Sequence, residues 1–395
     1  MSPVSSPAPY WRLSGFYLFY FATLGAFVPY LGPYLKTLDI TTFQIGVIIA
    51  ITMATKIIAP NIWGWLADHS GRRMLIIRIG CFFAALSFLG LFIEQTYFIV
   101  IMVMTLFSFF WNAALPQFEA TTFSHLSDEE DRYSSIRLWG SVGFIITVVV
   151  LGYVFQVLPY STLPYFVSIL LVCIWLVSMT VPESATGHLT LDHEPLKKTL
   201  SKPHVLGLLA ACFCMQASHG PYYAFYNLYM QSFDYSSSAI GWLWGIGVGA
   251  EVILFLLMHK LSVRYTLQKL LLVSFALAVL RWTLIALFPA QLPVMVFAQL
   301  LHAATFGLHH AAAIRLIHQL FRGRHQGKGQ ALYSSISYGA GGALGSLYGG
   351  FAWDYIDRSW VFMGSIVFCL LGFWLVYRFV KPDTLTPVSL SAKNP

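Results

Sequence analysis

The sequence predicts an all-α membrane protein: twelve transmembrane helices in two pseudo-symmetric six-helix bundles. Three observations lead there. Of the 395 residues, 57% are hydrophobic and only 10% charged, whereas about a quarter of the residues in a soluble domain carry charge. Apolar stretches long enough to cross a bilayer recur twelve times. The second half of the chain also repeats landmarks of the first at a nearly constant offset.

A hydrocarbon core of about 30 Å needs about 20 apolar residues of helix. Such stretches run over 12–36, 43–66, 73–92, 97–119, 136–158, 163–180, 203–232, 239–259, 267–288, 292–320, 328–350 and 358–379. They leave room for short loops only. The segment MSPVSSPAPYW has neither the basic stretch nor the cleavage site of a signal peptide, so the first span is expected to be retained. Cys81, Cys173, Cys212, Cys214 and Cys369 lie within apolar spans without metal-ligand spacing, and read as small buried residues. No metal or cofactor is expected.

The net charge of +7 suggests nucleic acid in a soluble protein. Topology accounts for it better here. The loop lysines and arginines, from Arg12, Arg72, Arg73 and Arg78 through Lys197, Lys198, Lys260 and Arg264 to Arg378 and Lys393, fall on one side, with Lys36 and Arg358 on the other. The positive-inside rule then places both termini in the cytoplasm and requires an even helix count.

The longest polar segment, PESATGHLTLDHEPLKKTLSK over 182–202, separates spans six and seven. It divides the chain into bundles 1–181 and 203–395 joined by a cytoplasmic linker. An offset of 195 aligns Gly25 with Gly220, Tyr34 with Tyr229, and DITTFQIG (39–46) with DYSSSAIG (234–241). Tyr-Ser-Ser-Ile recurs at 133–136 and 333–336, an offset of 200. Two parallel repeats about an axis along the membrane normal explain this register.

Between spans two and three stands GWLADHSGRR, with Gly64, Asp68, Gly71, Arg72 and Arg73. The segment resembles the G-x-x-x-D-x-x-G-R-R loop signature of the major facilitator superfamily. Asp68 is suited to cap a helix N-terminus or to pair with an arginine of the other half, holding one closed state; a basic loop that only sets orientation is the plainer reading. The corresponding loop of the second half, MHKLSVRYTLQK (258–269), keeps the charge but lacks the aspartate and glycines.

Over most of its length the chain is similar to the 3-phenylpropionate permease-like branch of that superfamily, distant relatives of lactose permease. FVPYLGPYLK (27–36), IRLWGSVGF (136–144), GVGAEVILF (247–255), LRWTL (280–284) and LHAATFGLHHAAAIRLI (301–317) carry the resemblance. It implies a multi-pass permease of the bacterial inner membrane, working as a monomer without a cofactor. Such a permease takes a small-molecule substrate and protons through a site between the halves, near the bilayer midplane.

Ionisable residues inside spans are candidates independently of that resemblance, because each costs about 2.5–3.5 kcal/mol on insertion scales. They are Lys56, Glu119, Arg137, Glu251, Arg281, His302 and His309. Glu119 and Arg137 sit on consecutive helices flanking DEED (128–131), as a direct pair, a latch or a substrate site; by resemblance to lactose permease they would engage the solute. Lys56 and Glu251 differ by the repeat offset and are expected to face each other, as a breakable ion pair or as a split site whose lysine receives a carboxylate. His302, Thr305 and His309 are spaced to share one helix face, with imidazoles suited to proton exchange. Thr305 stands where lactose permease has a carboxylate, so any proton must be carried by Glu251 or a histidine. His219, Tyr223 and Asn227 of SHGPYYAFYNLYM (218–230) supply aromatic and amide groups beside them.

These residues point to a secondary active transporter that moves a small aromatic or carboxylated solute with protons. A sugar or nucleoside importer of the same fold is the alternative; Lys56 and Arg281 favour the anion. Span five (140–152) lacks the Gly-Pro motif of proton-antiporting exporters, and neither H-E-x-x-H nor G-x-S-x-G of an intramembrane enzyme occurs.

Overall fold

The computed structural model describes residues 8–126, 132–183, 199–321 and 325–381. The DEED loop and most of the 182–202 linker lie outside the described residues. Twelve helices follow one another with alternating direction: α1 Tyr10–Lys36, α2 Thr42–Ser70, α3 Arg73–Phe92, α4 Tyr97–Leu126, α5 Arg132–Val157 and α6 Tyr160–Thr180. Next come α7 Pro203–Gln231, then α8 Ser237–Arg264, α9 Leu267–Leu287 and α10 Leu292–Leu320. The eleventh, α11, is built from His325–Ser334, Ser335–Gly341 and Gly342–Tyr355, and α12 is Trp360–Phe379.

Ten of these are long and apolar enough to cross a membrane by themselves among the described residues; α7 and α11 are the two that are not. Both lie inside the molecule. Helix α7 is buried along most of its length, including Gln216, His219 and Asn227, so its polar groups meet other helices rather than lipid. Helix α11 owes its lower hydropathy to the glycines and serines that let it pack against α2 and α7.

The repeat is visible at single residues. Asp39 and Asp234 have φ of 57° and 63°, and no other described non-glycine residue has a positive φ. Asp tolerates this left-handed region because its short side chain bonds locally. Two residues on, Thr41 accepts from the Gln44 N–H and Ser236 from the Ala239 N–H, so α2 and α8 begin with the same cap. Gly25 of α1 lies against the backbone of Phe144 in α5, where a Cβ would come 2.7 Å from the carbonyl oxygen, and Gly220 of α7 lies equally close to Gly345 of α11. The same inner helix pair is thus built twice.

The start of α1 meets the end of α6, where Arg12 donates to the Thr180 carbonyl, and the start of α7 meets the end of α12 at Gly207 and Phe379. This is the terminal end; the far end is opposite. The two bundles join along two main seams, α5 with α8 and α2 with α11, and α1 also meets α7, where Gly32 lies against the Ala224 carbonyl. Far-end cross-bundle bonds include Phe43 N–H to Asp354 (2.7 Å), Gln156 to Ser238 (2.7 Å), Tyr160 with Ser237 (2.6 Å), Gln231 to Tyr160 (2.5 Å) and Trp242 to Tyr153 (3.1 Å). Glycines permit the contact: a Cβ on Gly46 would lie 2.7 Å from the Ser346 carbonyl, and one on Gly241 equally close to that of Val148.

Candidate functional site

Lys56 and Glu251 each stand ten residues, about 15 Å, beyond the seam glycines Gly46 and Gly241. They share a depth but do not face each other, contrary to the expectation from the repeat. A twofold operation carries an off-axis residue to the opposite side of the axis, so equivalent positions fall on different seams. Lys56 lies on the α2–α11 seam, where its carbonyl accepts from Ser335 at 3.5 Å and Ile57 packs on Gly339. No carboxylate of a described residue comes within 4.0 Å of its ammonium. Glu251 lies on the α5–α8 seam, with Arg137 as the cation acting on it.

Arg137 and Glu119 are neighbours without direct contact, since their charged groups are not within 4.0 Å. The guanidinium instead lies 3.9 Å from the centroid of Phe21 and 5.5 Å from that of Tyr17, an arrangement stabilised by the ring quadrupole. Tyr133 and Arg137 are the polar neighbours of Glu119.

A second cluster lies behind Glu251 on α7, α9 and α10. Arg281 is fully buried. Its Nε donates to the Ala298 carbonyl (3.1 Å), one terminal nitrogen to His302 Nδ1 (3.0 Å), Thr305 (3.2 Å) and His219 Nε2 (3.4 Å), and the other to Gln299 (3.3 Å). The Tyr222 ring covers it at 4.3 Å. Each imidazole has its tautomer set by these bonds. His219 donates from Nδ1 to the Met215 carbonyl and accepts at Nε2. His302 accepts at Nδ1 and presents Nε2–H to Glu251, 3.7 Å away. A chain Arg281–His302–Glu251 results, with a guanidinium engaged by protein acceptors rather than offered to a solute as the sequence suggested. Nearby, Tyr223 stays partly exposed, and Asn227 accepts from the Trp244 indole at 2.7 Å.

His309 is not part of this cluster. Residues Ala303–Leu308 form a π-helical turn, whose wider pitch shifts the helix face by about one residue. His309 is thereby turned into the core, 3.2 Å from Ser274 and edge-on to Phe275. His310, absent from the sequence-based candidates, takes the inward place and meets the Tyr333 and Tyr338 hydroxyls at 3.0 Å each. The adjacent histidines were visible in the sequence; the π turn that chooses between them left no signature. Tyr133 beside Glu119 and Tyr333 beside His310 are equivalent in the repeat.

In the loop after α2, Gly71 closes the helix with φ 63° and donates to the Ala67 carbonyl, and Arg72 precedes the first turn of α3. Gly64 lies close to Gln117 of α4. Asp68 pairs with Arg73 of its own loop at 3.3 Å, neither crossing to the other bundle nor capping α3. Glu183 holds that N-terminus instead, accepting from Met74 N–H at 3.0 Å.

Comparison with known proteins adds the family. The model of the MFS_1 like family matches residues 10–364. A protein of Escherichia coli (strain K12) described as a probable 3-phenylpropionic acid transporter is 28% identical over 371 residues, covering 89% of this chain and 93% of that protein. The maltose permease of Geobacillus stearothermophilus is 24% identical, covering 93% and 94%. Among solved structures, a mutant of the nucleoside transporter NupG superposes with a TM-score of 0.82 at 16% identity, covering 94% of this chain and 98% of that one. A bacterial homologue of the human lysosomal transporter Spinster, inward-facing and unoccupied, gives 0.74 at 12% identity, covering 97% and 100%. The chain therefore belongs to the MFS_1-like family: it is a multi-pass membrane transporter of the major facilitator superfamily and not an enzyme.

Proposed function

We propose that this transporter imports a small organic anion, with an aromatic or otherwise apolar body, together with protons across the bacterial inner membrane. The observation that carries the reading is a pair of partly exposed cations at one depth, Lys56 and Arg137, neither with a described carboxylate within 4.0 Å. A cation at membrane depth requires a counter-charge or a wet cavity, and a carboxylated solute supplies one. Aromatic side chains next to Arg137, Phe21 and Tyr17 on α1, suit an apolar body. The E. coli relative's description points the same way.

The proton is carried on the Glu251–His302 contact. Glu251 is the acid of the second bundle at the depth of the two cations, and the bond from Arg281 holds His302 neutral at Nδ1, with its other nitrogen turned to the carboxylate. Loop charge puts the terminal end in the cytoplasm, so sealed far-end seams make this an inward-facing state. Bundles 1–181 and 203–395 rock as units joined by 182–202, as alternating access between two repeats requires.

The test is uptake into proteoliposomes with and without an inward proton gradient, using 3-phenylpropionate, maltose and uridine. Gradient-driven uptake of the acid, lost in Lys56→Ala and in Glu251→Gln, supports the reading. Uptake of maltose or uridine without the acid overturns it in favour of a sugar or nucleoside importer.

A further inference from the structure

His310 is held in an unusual way for a residue that the transport reading leaves without a task. Its Nδ1 lies 3.0 Å from the hydroxyls of both Tyr333 and Tyr338 on α11. Its ring stacks on Phe306, with centroids 6.2 Å apart and planes within 8°. These contacts fix the ring plane and engage one nitrogen. No described residue bonds to the other nitrogen, Nε2, and it is not sealed away, unlike Nε2 of His309, which is buried without a partner. In the tautomer whose Nδ1 accepts from a phenol, Nε2 carries the N–H, and the ring offers one oriented donor to the space between the bundles.

Gly241 meets Val148 across the α5–α8 seam; Arg137 stands eleven residues before Val148 and Glu251 ten residues after Gly241, so the two share a depth on that seam. The Glu251 methylene packs against Gly307, one turn before His310, and the charge of Arg137 acts on both Glu251 and His310. Tyr338 lies against the imidazole at 6.2 Å, and Phe306 in turn meets Tyr338 and Tyr223 edge-to-face at 6.3 Å and 6.4 Å.

We infer that His310 Nε2 and the Arg137 guanidinium form the two halves of one carboxylate subsite, with Phe306, Tyr338 and Tyr223 walling the apolar body of the solute. The inference rests on the organic-anion reading and deepens it, naming where the acid group sits and which neutral donor selects it. The two ligands come from different bundles, α5 and α10. An anion held by both draws the bundles together, so its binding energy differs between open and closed states, the condition for a solute to drive a conformational change.

The experiment measures binding to the purified full-length protein in nanodiscs by tryptophan fluorescence, using 3-phenylpropionate and its uncharged analogue 3-phenylpropanol. His310→Phe keeps the stack on Phe306 and removes the donor; His310→Gln restores an N–H near the Nε2 position. A hydrogen bond to a charged group of ordinary strength predicts that His310→Phe weakens the acid about 10–100-fold, leaves the alcohol unchanged, and is largely rescued in His310→Gln. Tyr338→Phe, a milder change should His310→Phe fold poorly, is expected to lower acid-over-alcohol preference in the same direction. Equal affinity of wild type and His310→Phe for the acid overturns the subsite alone. A wild type that binds neither compound overturns the anion reading, and the subsite with it.

Discussion

At the scale of residues, the three buried or half-buried cations divide by what their nitrogens touch. Arg281 donates to five protein acceptors inside a dry cluster, whereas Lys56 and Arg137 keep some exposure and no described carboxylate within 4.0 Å. Removing Arg281 leaves buried histidine and amide acceptors unpaired, at about 1–3 kcal/mol for each group left unsatisfied. Arg281→Ala is therefore expected to lower the thermal unfolding midpoint of the solute-free protein, and Arg281→Lys to recover little, since an ammonium cannot reproduce the planar fork. Lys56→Ala is expected to leave that midpoint nearly unchanged while transport falls. Differential scanning fluorimetry beside an uptake assay separates the two; a destabilised Lys56→Ala would mean that its ammonium holds the fold together. The sequence showed that all three were costly to insert. It did not show which were already satisfied, because the acceptors for Arg281 come from α7 and α10, 17 to 62 residues away.

At the scale of elements, a single extra residue in a turn decides the second bundle's interior. Helix α10 passes through the π turn Ala303–Leu308 and α11 through Ser335–Gly341, and the two deformed stretches supply Thr305, Phe306 and Tyr338. Heptad-like spacing placed His302 and His309 on one face; the wider turn rotated His309 out and His310 in. His309 has one buried nitrogen without a partner, and Ser274 keeps its bond to the Leu271 carbonyl without it. His309→Leu is thus expected to be stable to within about 1 kcal/mol of wild type, because an apolar replacement of similar shape removes an unsatisfied group, and to keep transport. Loss of uptake in a folded His309→Leu protein would return His309 to the site. Helix caps were more legible. Thr41 and Gln44, within the repeated segment DITTFQIG, form a capping box in the structure, and Asp39 and Asp234 sit at matching turns because the segments around them repeat. The cap on α3 was not legible, since Glu183 lies 109 residues from the N–H it accepts.

At the scale of the whole molecule, most of the spans could be read from hydropathy, because a bilayer imposes length and composition on crossing helices, and the repeat from residues matching at an offset of 195. The pairing of seams could not. An offset of 195 identifies equivalent residues, but where they lie relative to the axis is a matter of packing, and α2 meets α11 rather than α8. The far-end seams make the state testable. Asp354 caps α2 from the other bundle, its carboxylate 2.7 Å from the Phe43 N–H, where helix-dipole and hydrogen-bond contributions together give about 1–2 kcal/mol. Asp354→Asn is expected to shift the population towards a far-end-open form about 5–30-fold. Gly46→Val, whose Cβ meets the Ser346 carbonyl, is expected to shift it further. Distances between spin labels on the loops 37–41 and 356–359 report both; unchanged distances in Gly46→Val would show that the seam does not need backbone contact. Where Gly46 meets Gly350, and where Gly152 meets Gly241 beside the Tyr30 hydroxyl, main chain lies against main chain. Such a junction has no room for a file of water, and without water there is no wire for a hydronium ion to hop along. A permease sealed in this way can sit in an energised membrane without leaking protons along these seams.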